Sequence, residues 1–392
     1  MYEDKLKIKE VINAIGTVTF LGGNRISPEV LSSIEEVSKV FVNMKQLIDD
    51  AGCNIAKSMG VESAYITNGA AAAIVLSVAS CIVKSKPGLK YKLPELGRDE
   101  KFVLTFKNQI SEFKYLIKLT GAKIKEIGTA KDTSELSFKK ALKKFADKTV
   151  AIVYFAFEPL RESLKIEDVV SITHSFGIPV IVDAAAEVPP IYNFKRYLEA
   201  GADIVILSGG KAIGSFSDTG LMLGKKEIIE IAKEIGPHSE EISNSRNTIF
   251  IGRTMKVSKE DIVATTVAVD KFLKLNESEF MNDMNTKCKE IIDILGNNTS
   301  IRIKKINPPW YFPRPVTIPR VEVEFNNKVD AGVIANNLKY YNPAIYCLVD
   351  KGKLYINPQC LRTGEEKIIS NAILQLVDRE IVGNNIDNFT GK

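Results

Sequence analysis

The sequence predicts an α/β protein with a large domain built on a mostly parallel sheet, followed by a smaller α+β C-terminal domain. Three observations carry the prediction. Short apolar runs rich in β-branched residues at 102–106, 149–155, 178–183 and 203–207 alternate with segments of helical pattern. Each run ends in polar or small residues, as buried parallel strands do where they deliver side chains to their carboxyl ends. Beyond about residue 276 the order changes to helix, strands and a final helix, interrupted by a proline-rich stretch at 307–319.

Taken in order, residues 1–40 read as an N-terminal arm: Val11–Phe20 extended, a Gly22-Gly23 turn, and a helix starting near Pro28. A helix follows over 44–59. The large domain, 41–260, then has strands at 64–67, 102–106, 123–127, 149–155, 178–183, 203–207 and 220–224. Its helices lie near 70–83, 109–120, 134–146 and 165–176. A long helix near 258–275 leaves this domain. The C-terminal domain, 261–392, has strands near 301–306, 320–325, 344–349 and 353–357, a rigid loop at 307–319 and a last helix at 364–381. The final ten residues are polar and read as a frayed end. Residues 63–83 carry no charge and are long enough to suggest a membrane span. Thr67-Asn68-Gly69 breaks that stretch into a strand and a helix, and Ala and Ser stand where a span favours Leu and Phe, so no membrane partner is expected.

The bulk properties narrow the function. The chain has 392 residues, with 53 basic and 48 acidic side chains and a net charge of +5, an unconcentrated balance that argues against a dedicated nucleic-acid binder. The Lys-rich stretch 139–148 reads as the wet side of an amphipathic helix. Five scattered cysteines without a Cys-x-x-Cys suit reduced thiols in a cytoplasmic protein. With only His174 and His238 present, a His-based metal site or a His-centred triad is not expected, and His174 reads as structural. The charged N-terminus lacks a signal-peptide core.

The chemistry concentrates at two strand ends. One run ends at Asp183 and the next leads through Ser208 to Lys211. A carboxylate and an amine presented from neighbouring strand ends meet the needs of pyridoxal 5'-phosphate (PLP). The amine forms a Schiff base with the aldehyde, and the acid keeps the pyridine nitrogen protonated. A surface lysine and a helix-capping aspartate are the plain alternative. Upstream, Tyr65-Ile66-Thr67 turns at Asn68-Gly69 into an Ala-rich helix beginning at Ala70. A helix start with small side chains offers its unpaired N–H groups and its dipole to a phosphate, although an Asn-Gly turn is often only a turn. The Ser208 hydroxyl could reach the same phosphate.

These residues resemble the selenocysteine-synthase-like (SelA-like) group of fold-type-I PLP enzymes, with an aspartate-aminotransferase-like fold. The likeness is closest to the branch that includes D-glucosaminate-6-phosphate ammonia-lyase. It is carried by Val11–Thr19, Leu21-Gly22-Gly23, the turn at 66–73, Val182–Pro190, Ser208–Gly214, Thr219-Gly220-Leu221 and Ile251–Val257. The resemblance implies that Lys211 is the Schiff-base lysine, that Asp183 is the pyridinium partner, and that Asn68, Gly69, Ala70 and Ser208 hold the phosphate. It implies that Arg253 and Lys256 face an anionic group of substrate or cofactor; read alone, they could be a solvated edge. Arg362 stands where such enzymes often bind a substrate carboxylate, and Asn13 and Thr17 could line the substrate side or form a plain strand turn. Relatives often lay a histidine over the cofactor ring after the strand ending here near Phe106. This chain has Lys107-Asn108-Gln109, and Gln109 is expected to cover the ring.

The activity implied is that of a PLP-dependent lyase or transferase. The leading expectation is α,β-elimination on an anionic amino acid or amino-sugar acid, giving a 2-keto acid. The alternatives are a seryl- or selenocysteinyl-type transferase, a transaminase, or a PLP-fold protein that binds a ligand or RNA without catalysis. A homodimer or higher homo-oligomer is implied. The resemblance shows no counterpart of the N-terminal domain with which the bacterial selenium transferase grips tRNA, which argues against a tRNA-dependent reaction.

Overall fold

A computed structural model describes residues 5–390 apart from Ile110, Asp132, 157–163, 238–248, Trp310 and 327–328. The chain divides into two compact units. One comprises Asn24–Leu275, and the other joins Met1–Gly23 to Asn276–Lys392. The division differs from the sequence expectation of an arm at 1–40 and a boundary at 260/261. The helix Lys259–Leu273 packs on the helices Pro28–Ser38 and Met44–Met59 and belongs with the first unit. The first strand, β1 (Val11–Asn13), pairs in parallel with a strand more than three hundred residues away, and no local pattern reveals such a partner.

In the larger unit β2 (Ser63–Thr67), β3 (Phe102–Phe106), β4 (Lys123–Ile127), β5 (Thr149–Phe155), β6 (Val180–Asp183), β7 (Ile204–Ser208) and β8 (Gly220–Gly224) form one sheet in the order β2-β8-β7-β6-β5-β3-β4. Only β8 runs against its neighbours. Every residue of β3, β5 and β7 is buried, which accounts for their unbroken apolar runs. The helix Gly69–Ser85 is buried continuously from Ala72 to Val83 and packs along the sheet. The uncharged stretch 63–83 is therefore a strand and a core helix, and among the described residues no helix is long and apolar enough to cross a membrane. The helix Glu135–Phe145 buries Phe138 and Leu142 and turns its lysines outward. His174 Nε2 lies 2.8 Å from Asp203 Oδ2, which also accepts from the Val180 N–H at 2.7 Å, a link that ties a helix end to the sheet.

The smaller unit has a four-stranded antiparallel sheet in the order β12-β13-β10-β9, built from β9 (Ile301–Ile306), β10 (Arg320–Phe325), β12 (Leu348–Asp350) and β13 (Lys353–Ile356). Beside it β1 pairs with β11 (Ala344–Tyr346). The helices Glu277–Leu295, Ala331–Leu338 and Glu365–Thr390 complete a separate apolar core that includes Ile12 and Ala14. Arg320, 2 % exposed, holds the proline-rich loop by donating to the carbonyls of Ile318, Pro319, Pro313 and Pro315.

Three expected elements differ. The helix at 109–120 is instead a run of 3-10 turns over Glu112–Thr120. Only Ile117 and Thr120 of that run are buried, while Phe113, Tyr115 and Leu119 are exposed, so no continuous apolar face supports an α-helix. The strand at 344–349 breaks at Cys347, where the chain leaves β1 as partner and takes up β13. The C-terminal residues expected to fray continue the last helix to Thr390.

Candidate cofactor and active site

The strand order places β6 between β5 and β7, with Asp183 opposite Ile206 across one pairing and Phe155 across the other. Asp183 thus stands at the carboxyl end of a central strand, where open α/β sheets bind ligands. Its Oδ1 accepts from the Ala185 N–H at 3.1 Å. Burial pushes the Asp183 carboxyl above its ordinary value, against the opposing pull of that N–H and of the Lys211 charge. β7 ends at Ser208, and Lys211 follows in a tight turn of Gly209–Ile213. Burial pushes the Lys211 ammonium below its ordinary value, while the Asp183 and Glu187 carboxylates pull it back up. The two groups are electrostatic partners inside one desolvated site, and each carries a charge that burial disfavours.

Glu187 is the residue that sequence reasoning passed over. It is 4 % exposed, its N–H turns back to the Ala184 carbonyl at 3.1 Å, and its charge reaches Lys211. The only signal was its place at the end of Asp183-Ala184-Ala185-Ala186-Glu187, where an acid follows four residues after the first.

The helix Gly69–Ser85 begins beside the same sheet end. Asn68 is its N-cap residue, but its side chain makes no capping bond, and Asn68 to Ala71 remain half-buried, not covered. The first-turn N–H groups are therefore accessible to an anion. The approach of β8 to this turn requires a glycine. A Cβ on Gly220 would lie 2.4 Å from Gly69 C and 2.5 Å from Ala70 N. Gly220 pairs with Thr67 on one side and with Ser208 on the other, so the register sets Ser208, Gly220 and the helix start in one line. Ser208 is 8 % exposed.

Gln109 is 2 % exposed, and its Oε1 accepts the Phe155 N–H at 2.9 Å. Phe155 is the register partner of Asp183, so Gln109 borders the strand that carries the acid. Its Nε2 is buried without a partner among the described residues. The amide is pinned through its oxygen and presents a donor.

Arg253 sits half-buried in the 3-10 turn Ile251–Thr254, where the Gly252 N–H donates to the Ile235 carbonyl at 3.0 Å, and Lys256 is exposed beyond it. The electrostatic partners of Lys211 are Asp183 and Glu187 and do not include these two cations. The remaining three predicted residues belong to the smaller unit. Asn13 braces its own loop: its Nδ2 donates to the Gly16 carbonyl at 2.8 Å, and its Oδ1 accepts from the Ile15 and Gly16 N–H groups. Thr17 is buried, and its hydroxyl has no partner among the described residues. The Arg362 guanidinium is already engaged by Glu365 at 2.8 Å and by Glu10. No cluster of potential metal ligands occurs among the described residues.

Comparison with known proteins adds four findings. The family model described as SelA, L-seryl-tRNA selenium transferase, matches residues 11–362. The D-glucosaminate-6-phosphate ammonia lyase of Salmonella typhimurium is 28% identical over 274 residues, 68% of this chain and 69% of that protein. The 5'-C-glycyluridine monooxygenase-decarboxylase of a Streptomyces species is 26% identical over 394 residues, 95% of this chain and 91% of that protein. Among solved structures, a D-glucosaminate-6-phosphate ammonia-lyase superposes with a TM-score of 0.76 at 22% identity, covering 97% of this chain and 99% of that one.

Proposed function

Because this chain belongs to the SelA, L-seryl-tRNA selenium transferase, family, we propose that it uses PLP to act at the α-carbon of an amino acid or amino-sugar acid. Its fold is the fold-type-I architecture of PLP enzymes, and its relatives include an ammonia lyase and selenium transferases. The reaction we favour is α,β-elimination of a β-hydroxyl as water, after which hydrolysis of the released enamine gives a 2-keto acid and ammonia. The observation that carries it is the pairing of Asp183 with Lys211 in one desolvated site at the carboxyl ends of β6 and β7. The amino-sugar-acid class follows the ammonia lyase relative, whose named substrate is D-glucosaminate-6-phosphate.

The residues fit the cofactor. Asp183 is a buried acid whose charge burial disfavours, and a protonated heterocycle nitrogen would give it a positive partner beside Lys211. The open first turn of the helix Gly69–Ser85, with Asn68, Gly69, Ala70 and Ser208 around it, suits a phosphate. Gln109 offers an unpaired Nε2 donor for a ring substituent. When bound, PLP supplies an aldehyde for an amine and a ring that takes up the charge left at the α-carbon.

With the cofactor bound, Lys211 would supply the amine for that aldehyde and would serve as the base that takes the α-proton of the substrate. Burial lowers its proton affinity and so favours the neutral form that a base requires. Glu187 and Asp183 limit that lowering and keep the amine able to hold the proton it has taken. Arg253 and Lys256 offer positive charge to an anionic substrate group. We also propose a cytoplasmic homo-oligomer.

Seryl-type transfer is the second reading, favoured by the description of the family itself. Release of 2-keto acid from D-glucosaminate-6-phosphate in the absence of any acceptor distinguishes the two. Keto acid formed without an acceptor supports elimination, and product formed only when an acceptor is added supports transfer.

A further inference from the structure

Lys211 carries its amine at the end of a flexible side chain, so the place of its backbone decides what the amine can reach. The turn that holds it is closed by its own bonds. The Gly214 N–H donates to the Lys211 carbonyl at 3.1 Å, and the Ser215 N–H to the Gly209 carbonyl at 2.8 Å. Lys211 itself departs from helical dihedrals, with φ −106° and ψ −126°, so its course is set by these closures. The first half of the turn rests on the returning chain: the Gly209 N–H donates to the Thr219 carbonyl at 2.8 Å, and a Cβ on Gly210 would lie 2.2 Å from Ser217 Cα.

The second half ends at Ser215, whose polar groups are all engaged. Besides the N–H, its carbonyl accepts from Asn24 Nδ2 at 3.0 Å, and its hydroxyl oxygen lies 2.8 Å from Thr265 Oγ1. Ser215 and Thr265 are both 0 % exposed. Thr265 belongs to the helix Lys259–Leu273, which packs on the turn. A threonine inside a helix can return its hydroxyl to the carbonyl four residues back, as Thr266 does to Ile262 at 2.9 Å. Thr265 instead directs its hydroxyl across to Ser215. All these residues lie within the unit Asn24–Leu275.

We propose that Thr265 is a positioning residue for Lys211: by holding the Ser215 hydroxyl it fixes the far end of the turn, and so the point from which the amine reaches an aldehyde. The proposal rests on the function given above in taking Lys211 as the residue that condenses with PLP. In that condensation the amine nitrogen bonds to the aldehyde carbon and the aldehyde oxygen leaves as water. The bond forms only where nitrogen and carbon meet in the right geometry, and a misplacement of about 1 Å costs on the order of a hundredfold in such a reaction. Removing the Thr265 hydroxyl leaves that of Ser215 buried and unpaired, which favours a shift of the turn.

Titration of the full chain with PLP and with pyridoxine 5'-phosphate tests this. The second ligand has the same ring and phosphate but an alcohol in place of the aldehyde, so it binds without condensing. The ratio of the two affinities therefore reads the reach of the Lys211 amine. The wild type should bind PLP at least about tenfold more tightly than pyridoxine 5'-phosphate. Thr265→Val should lose about five- to tenfold of that preference while holding pyridoxine 5'-phosphate within about twofold of the wild type, and Thr265→Ser, which keeps the hydroxyl, should restore it. The double variant Thr265→Val with Ser215→Ala leaves neither hydroxyl unpaired and so keeps the fold; it should show the same lost preference. A preference retained in the valine and double variants, equal weakening of both ligands, or a serine variant that behaves as the valine one overturns the proposal. Equal affinities of the wild type for the two ligands would be a separate failure, removing Lys211 from the chemistry and the positioning with it.

Discussion

Replacing Gly220 with alanine should damage the larger unit far beyond the addition of one methyl group. The new Cβ would lie 2.4 Å from Gly69 C, 2.5 Å from Ala70 N and 2.7 Å from Gly69 O. Ordinary contact begins at 3.4 Å, so the backbone must withdraw by 3.4 − 2.4 = 1.0 Å. Neither side yields easily. Gly220 is held between Thr67 and Ser208 in the sheet, and the opposing helix is buried from Ala72 to Val83. Overpacking a filled core costs about 1–3 kcal/mol, and opposing backbone in place of a flexible side chain puts this case near about 3 kcal/mol. For a unit of this size that is a fall of roughly 6–12 °C in melting temperature. The displaced atoms belong to the proposed phosphate site, so PLP affinity should fall about tenfold or more with the loss of one charge-assisted hydrogen bond. Gly88→Ala is the control: its Cβ would meet nothing within 4 Å, and its stability should stay within about 0.5 kcal/mol of the wild type. Scanning calorimetry and a PLP titration followed by visible absorbance read both quantities. If Gly220→Ala melts and binds PLP as Gly88→Ala does, the close approach of β8 to the helix start is refuted.

Lys211→Ala should remove both the visible band of added PLP and all keto acid release, and turnover that survives would refute its role. Asp183→Asn should reduce turnover roughly 10²–10³-fold with PLP still bound, as steady-state kinetics would measure. The same substitution should affect PLP-free protein differently. Burial raises the Asp183 carboxyl, so the folded state holds that proton more tightly than the unfolded chain. The wild type then loses stability as pH rises from the ordinary carboxylate range through the raised value, and the asparagine variant does not. Its melting advantage should grow across that window and level off above it; an advantage that shrinks with rising pH would contradict the burial argument. Arg362→Ala should cost about 1–3 kcal/mol, because it removes an exposed pair with Glu10 but also takes the guanidinium from the buried Glu365 carboxylate. It should leave KM nearly unchanged, whereas a large rise in KM at unchanged stability would assign Arg362 to the substrate carboxylate.

The residue order alone determined the alternating strands of the larger unit and the arrival of Asp183, Ser208 and Lys211 at strand ends. Those features rest on local periodicity, since a strand buried on both faces must be apolar throughout and must turn polar where it leaves the sheet. The helix start at Gly69 was legible for the same reason. What Gln109 does was not, because its amide takes direction from the Phe155 N–H on a neighbouring strand. Nor was the pairing of β1 with β11, which draws the first residues of the chain into the C-terminal unit and closes Gly16 on Asn357. Glu187 stood in plain sight within a recognised motif, yet only burial beside Lys211 gave its charge a purpose. Pattern along the chain reports which face of an element is dry. Which side chains end up unpaired, and beside what, is decided by contacts between segments remote in sequence, where tertiary packing alone sets distance and solvent access.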